Sequence, residues 1–587
     1  MLTALGITFF LIPFILIFCF EDKVKGFLYV FTSTFFFHIF LGITTQALHV
    51  FTYSFIVSVN AVISMGSVFL FYKHKKPFQS HVNWITILAF LVIFFELWSV
   101  HYAYKGPVNT IRGAIETASE NSYPYPYFSD EWVGVGLSRY AIEHNALPLV
   151  DSFMNGYPSF SNPLIGFFSF SSELFILFNL NPLYGYAVFA LVFGMILSLI
   201  FYLFLRSYGL GKIPSLVPLF LLPYIANGAN IPGMWYFLPY IVSFIFFLIS
   251  LSAIIKRQEN LSFFSGFISL ILYPPMIVFL IASFLFSYRK SKKLYIGILG
   301  VITISGAIIG ALLHIYNPLE LSRTIQSFIS RATTTTVGIP LFTPWNILPI
   351  SFITLPLILL GLLETLQKRI YPLFAPVLVG CIFWVIYAYN TGVFIIEYPR
   401  VVIITSILLI ILLGIGMELV MKKLKESFAL FQKSTTHTVL SLIFVVLFFI
   451  LSFSYTEGGR WKTMTLNIEG GGGIFRISPA PPANRYLTEE DLILFKRISE
   501  SIFLAPPWKG LVIGVATNNF PLETKTSTIT NEILSYASFM NVNCEAKDRF
   551  ARLYGIKYVY SDPFDCREFI SLGQSEEKLT LYHFLKN

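Results

Sequence analysis

Charge is what this chain has least of. Asp, Glu, Lys and Arg make up 12% of its 587 residues, against about 25% in a soluble domain. Such a chain cannot cover itself with a solvated surface, and a soluble globular fold is excluded. Apolar runs of about 20 residues recur instead from residue 2 to residue 454, each long enough to cross a bilayer core. Period-two alternation is missing from those runs, which excludes an outer-membrane barrel. No basic residue precedes Leu2–Phe20 and no small-residue cleavage site follows, so this run reads as a retained helix and not a signal peptide. There is no G-x-x-x-x-G-K-[ST] phosphate loop, no H-E-x-x-H zinc helix and no clear internal repeat. Cysteines number four. Cys19 and Cys381 fall in predicted membrane helices. Cys544 and Cys566 fall in the carboxy-terminal region, where an oxidising compartment permits a disulfide that the sequence neither requires nor forbids.

What is present is a polytopic helical membrane protein. Helices are predicted near 2–20, 26–45, 49–71, 84–104, 185–205, 213–229, 235–255, 261–272, 276–288, 294–314, 350–366, 372–389, 399–420 and 437–454, about fourteen spans. The pair around Tyr273-Pro274-Pro275 reads either as a hairpin or as one helix broken at its prolines. Positive charge chooses between these, because Lys and Arg are retained on the cytoplasmic side. With a hairpin, loops on one side hold nineteen Lys and Arg, among them Lys73, Lys75, Lys76, Arg289, Lys290 and Lys293. The other side holds six before residue 455: Lys105, Arg112, Arg139, Arg323, Arg331 and Arg400. The hairpin puts the amino terminus and the 102–160 loop outside the cytoplasmic membrane. Residues 161–178 are apolar too, but a span there breaks the parity, so they read as an interfacial or re-entrant helix.

The expected domains are a membrane part at 1–454, a linker at 455–483 containing Glu469-Gly-Gly-Gly-Gly473, and a small extracytoplasmic α/β domain at 484–587. In the last, Thr488-Glu-Glu-Asp491 starts a helix with a Thr cap and acids at the positive end of the dipole. GLVIGVA (510–516), IKYVY (556–560) and LTLYHFL (579–585) read as strands. No catalytic cluster stands out in this domain. After residue 454 there are 15 basic and 15 acidic side chains. The overall charge of +9 therefore lies mostly at the membrane, and a nucleic-acid partner is not supported.

The outer loop 102–160 is acidic. It carries Glu116, Glu120, Asp130, Glu131, Glu143 and Asp151 against three basic residues. Acids in the first turn of a helix complement its dipole, and Ser129 or Asp130 can serve simply as a cap. That reading and a catalytic one both stand on local grounds. Glu96, within the fourth helix, and Glu173 either line a cavity or find an internal hydrogen bond.

The stretch SDEW, a short helix, and then NALPLVDSF resembles the first extracytoplasmic loop of the GT-C superfamily of membrane glycosyltransferases. FIIEYPRVVII (394–404) and FARLYGIKYVYSDP are similar to further short patterns of that superfamily. Three extra amino-terminal helices and Ser152, where Pro is common, are departures. There is no W-W-D run, which speaks against asparagine glycosylation. The resemblance implies transfer of a sugar from a polyprenyl phosphate to an acceptor hydroxyl of a glycan, lipid or protein at the outer membrane face. It implies Asp130 and Glu131 as the catalytic pair, Asp130 being the base, with Trp132 beside them in the substrate site. A divalent metal, Mg²⁺ or Mn²⁺, is an open expectation on Asp130, Glu131 and Asp151, since carboxylate oxygens suit these ions. Arg400 is placed to bind the lipid phosphate, its planar fork matching phosphate oxygens. Tyr398 and Glu397 lie beside it, and Arg323 and Arg331 are further candidates. Snorkelling of Arg400, or pairing with Glu397, is the plain alternative.

Two other classes compete. A transporter or lipid flippase favours broken helices near the midplane, and the Tyr273–Pro275 break is its best support. A non-catalytic assembly protein leaves the acidic loop without a purpose.

Overall fold

The computed structural model describes residues 2–77, 84–102, 107–110, 113–117, 123–149, 164–224, 236–288, 355–389, 398–427, 483–524 and 535–585, with short pieces between them. The expected span at 294–314 and most of that at 437–454 lie outside these residues. The chain forms two compact units. One comprises residues 1–40, 57–104 and 188–481, and the other residues 41–56, 105–187 and 482–587.

In chain order the helices are α1 (Leu2–Leu11, continued as a 3-10 helix over Ile12–Cys19), α2 (Lys23–Ala47), α3 (Tyr53–His74), α4 (Trp84–Tyr102), α5 (Ser129–His144), α6 (Ile165–Leu177) and α7 (Pro182–Ser207). There follow α8 (Lys212–Leu221), α9 (Pro239–Ile255), α10 (Glu259–Leu272), α11 (Ile277–Tyr288), α12 (Leu355–Gln367), α13 (Tyr371–Tyr389) and α14 (Tyr398–Ser427). Among the described residues, five spans are long and apolar enough to cross a membrane: Leu2–Cys19, α2, α3, α7 and Arg400–Ser427 of α14. The other apolar helical segments, as far as they are described, run 10–17 residues, so the expected count of about fourteen does not emerge from the described residues.

The first unit is built as a bilayer demands. Val62, Met65 and Phe69 lie along one face of α3 and are more than half exposed. An exposed apolar face of this kind marks a membrane- or protein-facing surface. Inside, helices approach through small residues and hydroxyls. Ser243 of α9 and Ser269 of α10 each donate to the other's carbonyl, at 2.8 and 3.0 Å, and Ser250 donates to Ser262 O at 2.8 Å. Such bonds tie apolar helices that have no hydrophobic driving force between them in lipid. A Cβ on Gly361 of α12 would overlap the Leu412 carbonyl of α14, and one on Gly416 of α14 would overlap the Leu357 carbonyl of α12. Backbone, unlike a side chain, cannot swing away. Gly361→Ala and Gly416→Ala are each expected to lower stability by about 1–3 kcal/mol, less than additively when combined because they share one crossing. Thermal melting of the detergent-solubilised protein checks this. An unchanged midpoint for both variants refutes the close crossing.

The Tyr273–Pro275 break is a hairpin. Phe263 of α10 stacks on Phe284 of α11 with ring centroids 4.9 Å apart. A continuous helix would separate those residues by roughly 30 Å at 1.5 Å per residue. This agrees with the charge argument, and it removes the broken helix that favoured a transporter.

The second unit joins α5, α6 and the chain ends around them to the carboxy-terminal domain. Strands β1 (Pro107–Thr110) and β2 (Gly113–Thr117) pair antiparallel. A two-residue pair, β3 (Thr465–Leu466) and β4 (Ile477–Ser478), belongs to the first unit. Strand β5 (Ala483–Asn484) pairs in parallel with β1. The domain then runs α15 (Glu489–Phe495), β6 (Ile502–Leu504), α16 (Pro507–Ala516), β7 (Phe520–Pro521), α17 (Tyr536–Met540), α18 (Cys544–Tyr554), β8 (Tyr558–Ser561), β9 (Phe569–Gln574) and β10 (Thr580–Phe584). Its sheet has the order β7-β6-β8-β10-β9, with β6 parallel to both neighbours and β10 antiparallel to β8 and β9. The α15 start is as expected: Thr488 Oγ1 accepts from Asp491 N–H at 3.1 Å, and Asp491 accepts from Thr488 N–H at 2.8 Å. Helix α18 begins on the Asn543 side chain and stops at Gly555, whose φ of +63° suits glycine. Cys544 and Cys566 are bonded, their Cα atoms 5.5 Å apart, so the bridge joins the start of α18 to the segment before β9.

One expected strand is wrong. GLVIGVA (510–516) is part of α16. An apolar run of seven buried on both sides has no periodicity to separate strand from helix. The usable signals were Pro507 in the first turn, where its missing N–H costs nothing, and the glycines four apart. Gly510 and Gly514 share a face, and a Cβ on either would meet Glu523 or Pro521.

Candidate active site

The acidic helix is positioned from the run Tyr123-Pro-Tyr-Pro-Tyr127. Prolines at alternate positions hold the preceding residues extended. Tyr123, Tyr125 and Tyr127 are all buried, with the Tyr123 ring centroid 5.2 Å from each of the other two. Burial raises the Tyr123 and Tyr125 phenols above their ordinary range, so they remain neutral. Phe128 is extended (φ −111°, ψ 143°) and stands at the cap of α5 with no side-chain acceptor. The carboxylate that closes this end is Glu131. It is fully buried, and its Oε2 accepts from Tyr127 N–H at 3.3 Å and Phe128 N–H at 3.4 Å. The capping role weighed for Ser129 or Asp130 thus belongs to Glu131. That is the acidic half of a capping box, in which the third helical residue reaches back to the cap amides.

Asp130, one position earlier, is partly exposed in the first turn. Trp132 is fully buried, and its indole N–H has no hydrogen-bond partner among the described residues. The face of α5 that follows is cut small. Gly134, Val135, Gly136, Ser138 and Ala141 are buried, Ser138 and Ser171 of α6 share a hydroxyl hydrogen bond of 3.2 Å, and a Cβ at Gly134 would strike the Tyr186 hydroxyl. Glu173 is buried in the same unit, on α6.

Arg400 belongs to the first unit. It is the third residue of α14 and partly exposed, with its guanidinium carbon 5.5 Å from the Tyr240 ring centroid. A cation at the amino end of a helix works against the dipole there. The aromatic face offsets part of that cost, and a bound anion would reverse it. Tyr398 opens the same helix. Glu96 is buried in α4 of this unit. Asp151, Arg323, Arg331 and Glu397 lie outside the described residues.

Of the three expected metal donors, Asp151 lies outside the described residues. No group of three His, Cys, Asp or Glu side chains converges among the described residues. Glu131, one of the three expected ligands, is committed to backbone amides.

A cluster that the sequence reading missed lies in the carboxy-terminal domain. Lys509 Nζ bonds Asp491 Oδ2 at 2.6 Å and pairs with Glu577 Oε2, and the Tyr560 hydroxyl donates to Asp491 Oδ1 at 2.6 Å. Lys509 and Asp491 are fully buried. Burial, and then the Asp491 charge, hold the Tyr560 phenol well above its ordinary range, so it stays a donor. Nothing reaches this cluster from solvent except at Glu577, and it braces α15 against α16.

No family profile matches the sequence, and no curated protein matches it significantly. Among solved structures the chain is similar to the oligosaccharyltransferase of Archaeoglobus fulgidus in its apo form, at 13% identity over 81% of this chain and 69% of that one, with a TM-score of 0.44. It is similar to AglB of the same organism in complex with an inhibitory peptide and a dolichol-phosphate, at 13% identity over 82% and 69% with a TM-score of 0.43. A third is the Archaeoglobus fulgidus enzyme in complex with Zn and sulfate, at 13% identity over 81% and 68% with a TM-score of 0.41. Likenesses this distant, with every TM-score below 0.5, assign this chain neither a family nor an activity.

Proposed function

We propose that the protein is an integral-membrane glycosyltransferase of the GT-C kind, which moves a sugar from a polyprenyl-phosphate donor to an acceptor hydroxyl at the outer face of the cytoplasmic membrane. The observation that carries the reading is the division of labour on α5. Glu131 turns inward and closes the helix, while its neighbour Asp130 stays partly exposed at the same end. A pair serving only as a cap needs one of these carboxylates.

In this reading Asp130 accepts the proton of the acceptor hydroxyl as that oxygen attacks the anomeric carbon. The bond from that carbon to the phosphate oxygen breaks, and its electron pair leaves on the lipid phosphate. Direct displacement inverts the sugar carbon. Arg400, at the amino end of α14, holds the phosphate, where its charge and the helix dipole both favour an anion. Glu131 closes the end of the helix that carries the base.

The test is transfer from a radiolabelled polyprenyl-phosphate sugar in membranes containing the protein. Arg400→Ala removes a charge-assisted contact of about 1.5–3 kcal/mol, so donor KM is expected to rise roughly 10- to 100-fold. Arg400→Lys should fall between, because an ammonium keeps the charge and loses the fork. Unchanged donor KM in both variants removes Arg400 from the phosphate site, and no transfer by the wild type removes the reading.

A further inference from the structure

One of the three basic residues of the acidic loop is Arg139, nine positions after Asp130 on the same helix. Its Nη1 donates to the carbonyl oxygens of Val515 and, at 3.5 Å, Thr517. Its Nη2 donates to Asn518 Oδ1 at 2.6 Å. Nε and Nη2 both reach Glu143 Oε1, at 3.2 and 3.0 Å, which aims the guanidinium from its own helix. The carbonyl of Val515, within the last turn of α16, and that of Thr517, just beyond it, sit where a helix leaves its acceptors unmatched and its dipole negative. A planar fork fits such a set of acceptors, and an ammonium does not.

The same unit holds the segment before α5 as well. Leu487 N–H donates to the Tyr123 hydroxyl at 3.3 Å, and the Arg485 guanidinium lies 5.2 Å from the Tyr123 ring centroid. Helix α16 is itself anchored through Lys509 in its first turn. Arg139 and Asp130 are joined by about two and a half turns of one helix, so a shift at Arg139 is passed to Asp130 as a rigid displacement.

We propose that Arg139 is a positioning residue, through which the carboxy-terminal domain sets the placement of Asp130. The proposal rests on Asp130 being the base. Misplacing a catalytic group by an ångström lowers the chemical step by about a hundredfold and leaves ground-state binding alone. Arg139→Met and Arg139→Lys are compared with the wild type in the full-length protein in lipid nanodiscs. Transfer kinetics are normalised to folded protein, and amide hydrogen exchange is read over α5. Arg139→Met is expected to speed exchange across α5 and to lower kcat about 10- to 100-fold at unchanged donor KM. Arg139→Lys should recover part of kcat. Faster exchange with unchanged kcat makes Arg139 a stability residue and overturns the proposal, as does unchanged exchange over α5. Absence of transfer in the wild type overturns the glycosyltransferase reading itself, and is separable from both because it appears before any substitution is made.

Discussion

Asp130→Asn is expected to lower sugar transfer by about 10²- to 10⁴-fold, the range supplied by a positioned general base, while the protein still folds and inserts. Asparagine keeps the size of the side chain but is neutral and has no proton affinity at neutral pH. Asp130 is partly exposed, and the amides before α5 are bonded to Glu131 instead. The paired control is Glu131→Gln. A glutamine oxygen can still accept from Tyr127 and Phe128 N–H, so this variant should retain most transfer. Glu131→Ala leaves two amides near a buried core without their acceptor, and should lose about 0.5–2 kcal/mol of stability, as cap deletions do. If Glu131→Gln proves as inactive as Asp130→Asn, the two carboxylates act together and the division of labour is wrong. If Asp130→Asn transfers normally, Asp130 is not the base.

The second large effect lies in the carboxy-terminal domain. Lys509→Met is expected to cost about 3–5 kcal/mol, the penalty for removing one partner of a buried ion pair, and so to unfold that domain at temperatures where the wild type is stable. Lys509 stands between the carboxylates of Asp491 and Glu577, and without it two negative groups face each other in the interior. Tyr560 compensates one Asp491 oxygen only. Glu577→Gln should be far milder, because it leaves a matched Lys509–Asp491 pair and removes the excess negative charge. Limited proteolysis of the full-length protein after residue 484, with thermal melting, separates the two variants. Equal sensitivity of both would mean that the cluster is not held together by charge.

The carboxy-terminal domain shows where sequence signals succeed. Its caps and strands are local. Thr488 and Asp491 lie three residues apart, Gly555 ends α18, and the β8 and β10 strands lie within short runs rich in β-branched and aromatic residues. By contrast, GLVIGVA was ambiguous, because a short apolar run is read the same way in a buried strand and a buried helix. The disulfide was left open for a similar reason: two cysteines 22 residues apart have a separation but no geometry until α18 and the segment before β9 are placed.

By itself the sequence determined the membrane class, the positions of most described helices, the hairpin at Tyr273–Pro275 and the caps that start α15. Each depends on hydropathy, charge sidedness or a bond within one turn, all of which are properties of neighbouring residues. The tertiary structure decided that Glu131 rather than Asp130 closes α5, that Lys509, Asp491, Tyr560 and Glu577 meet in one buried cluster, and that Arg139 reads the end of α16. Those partners are separated by up to hundreds of residues, as Arg139 is from Asn518. Their attraction becomes strong only once folding has removed the water between them, and no spacing along the chain records that.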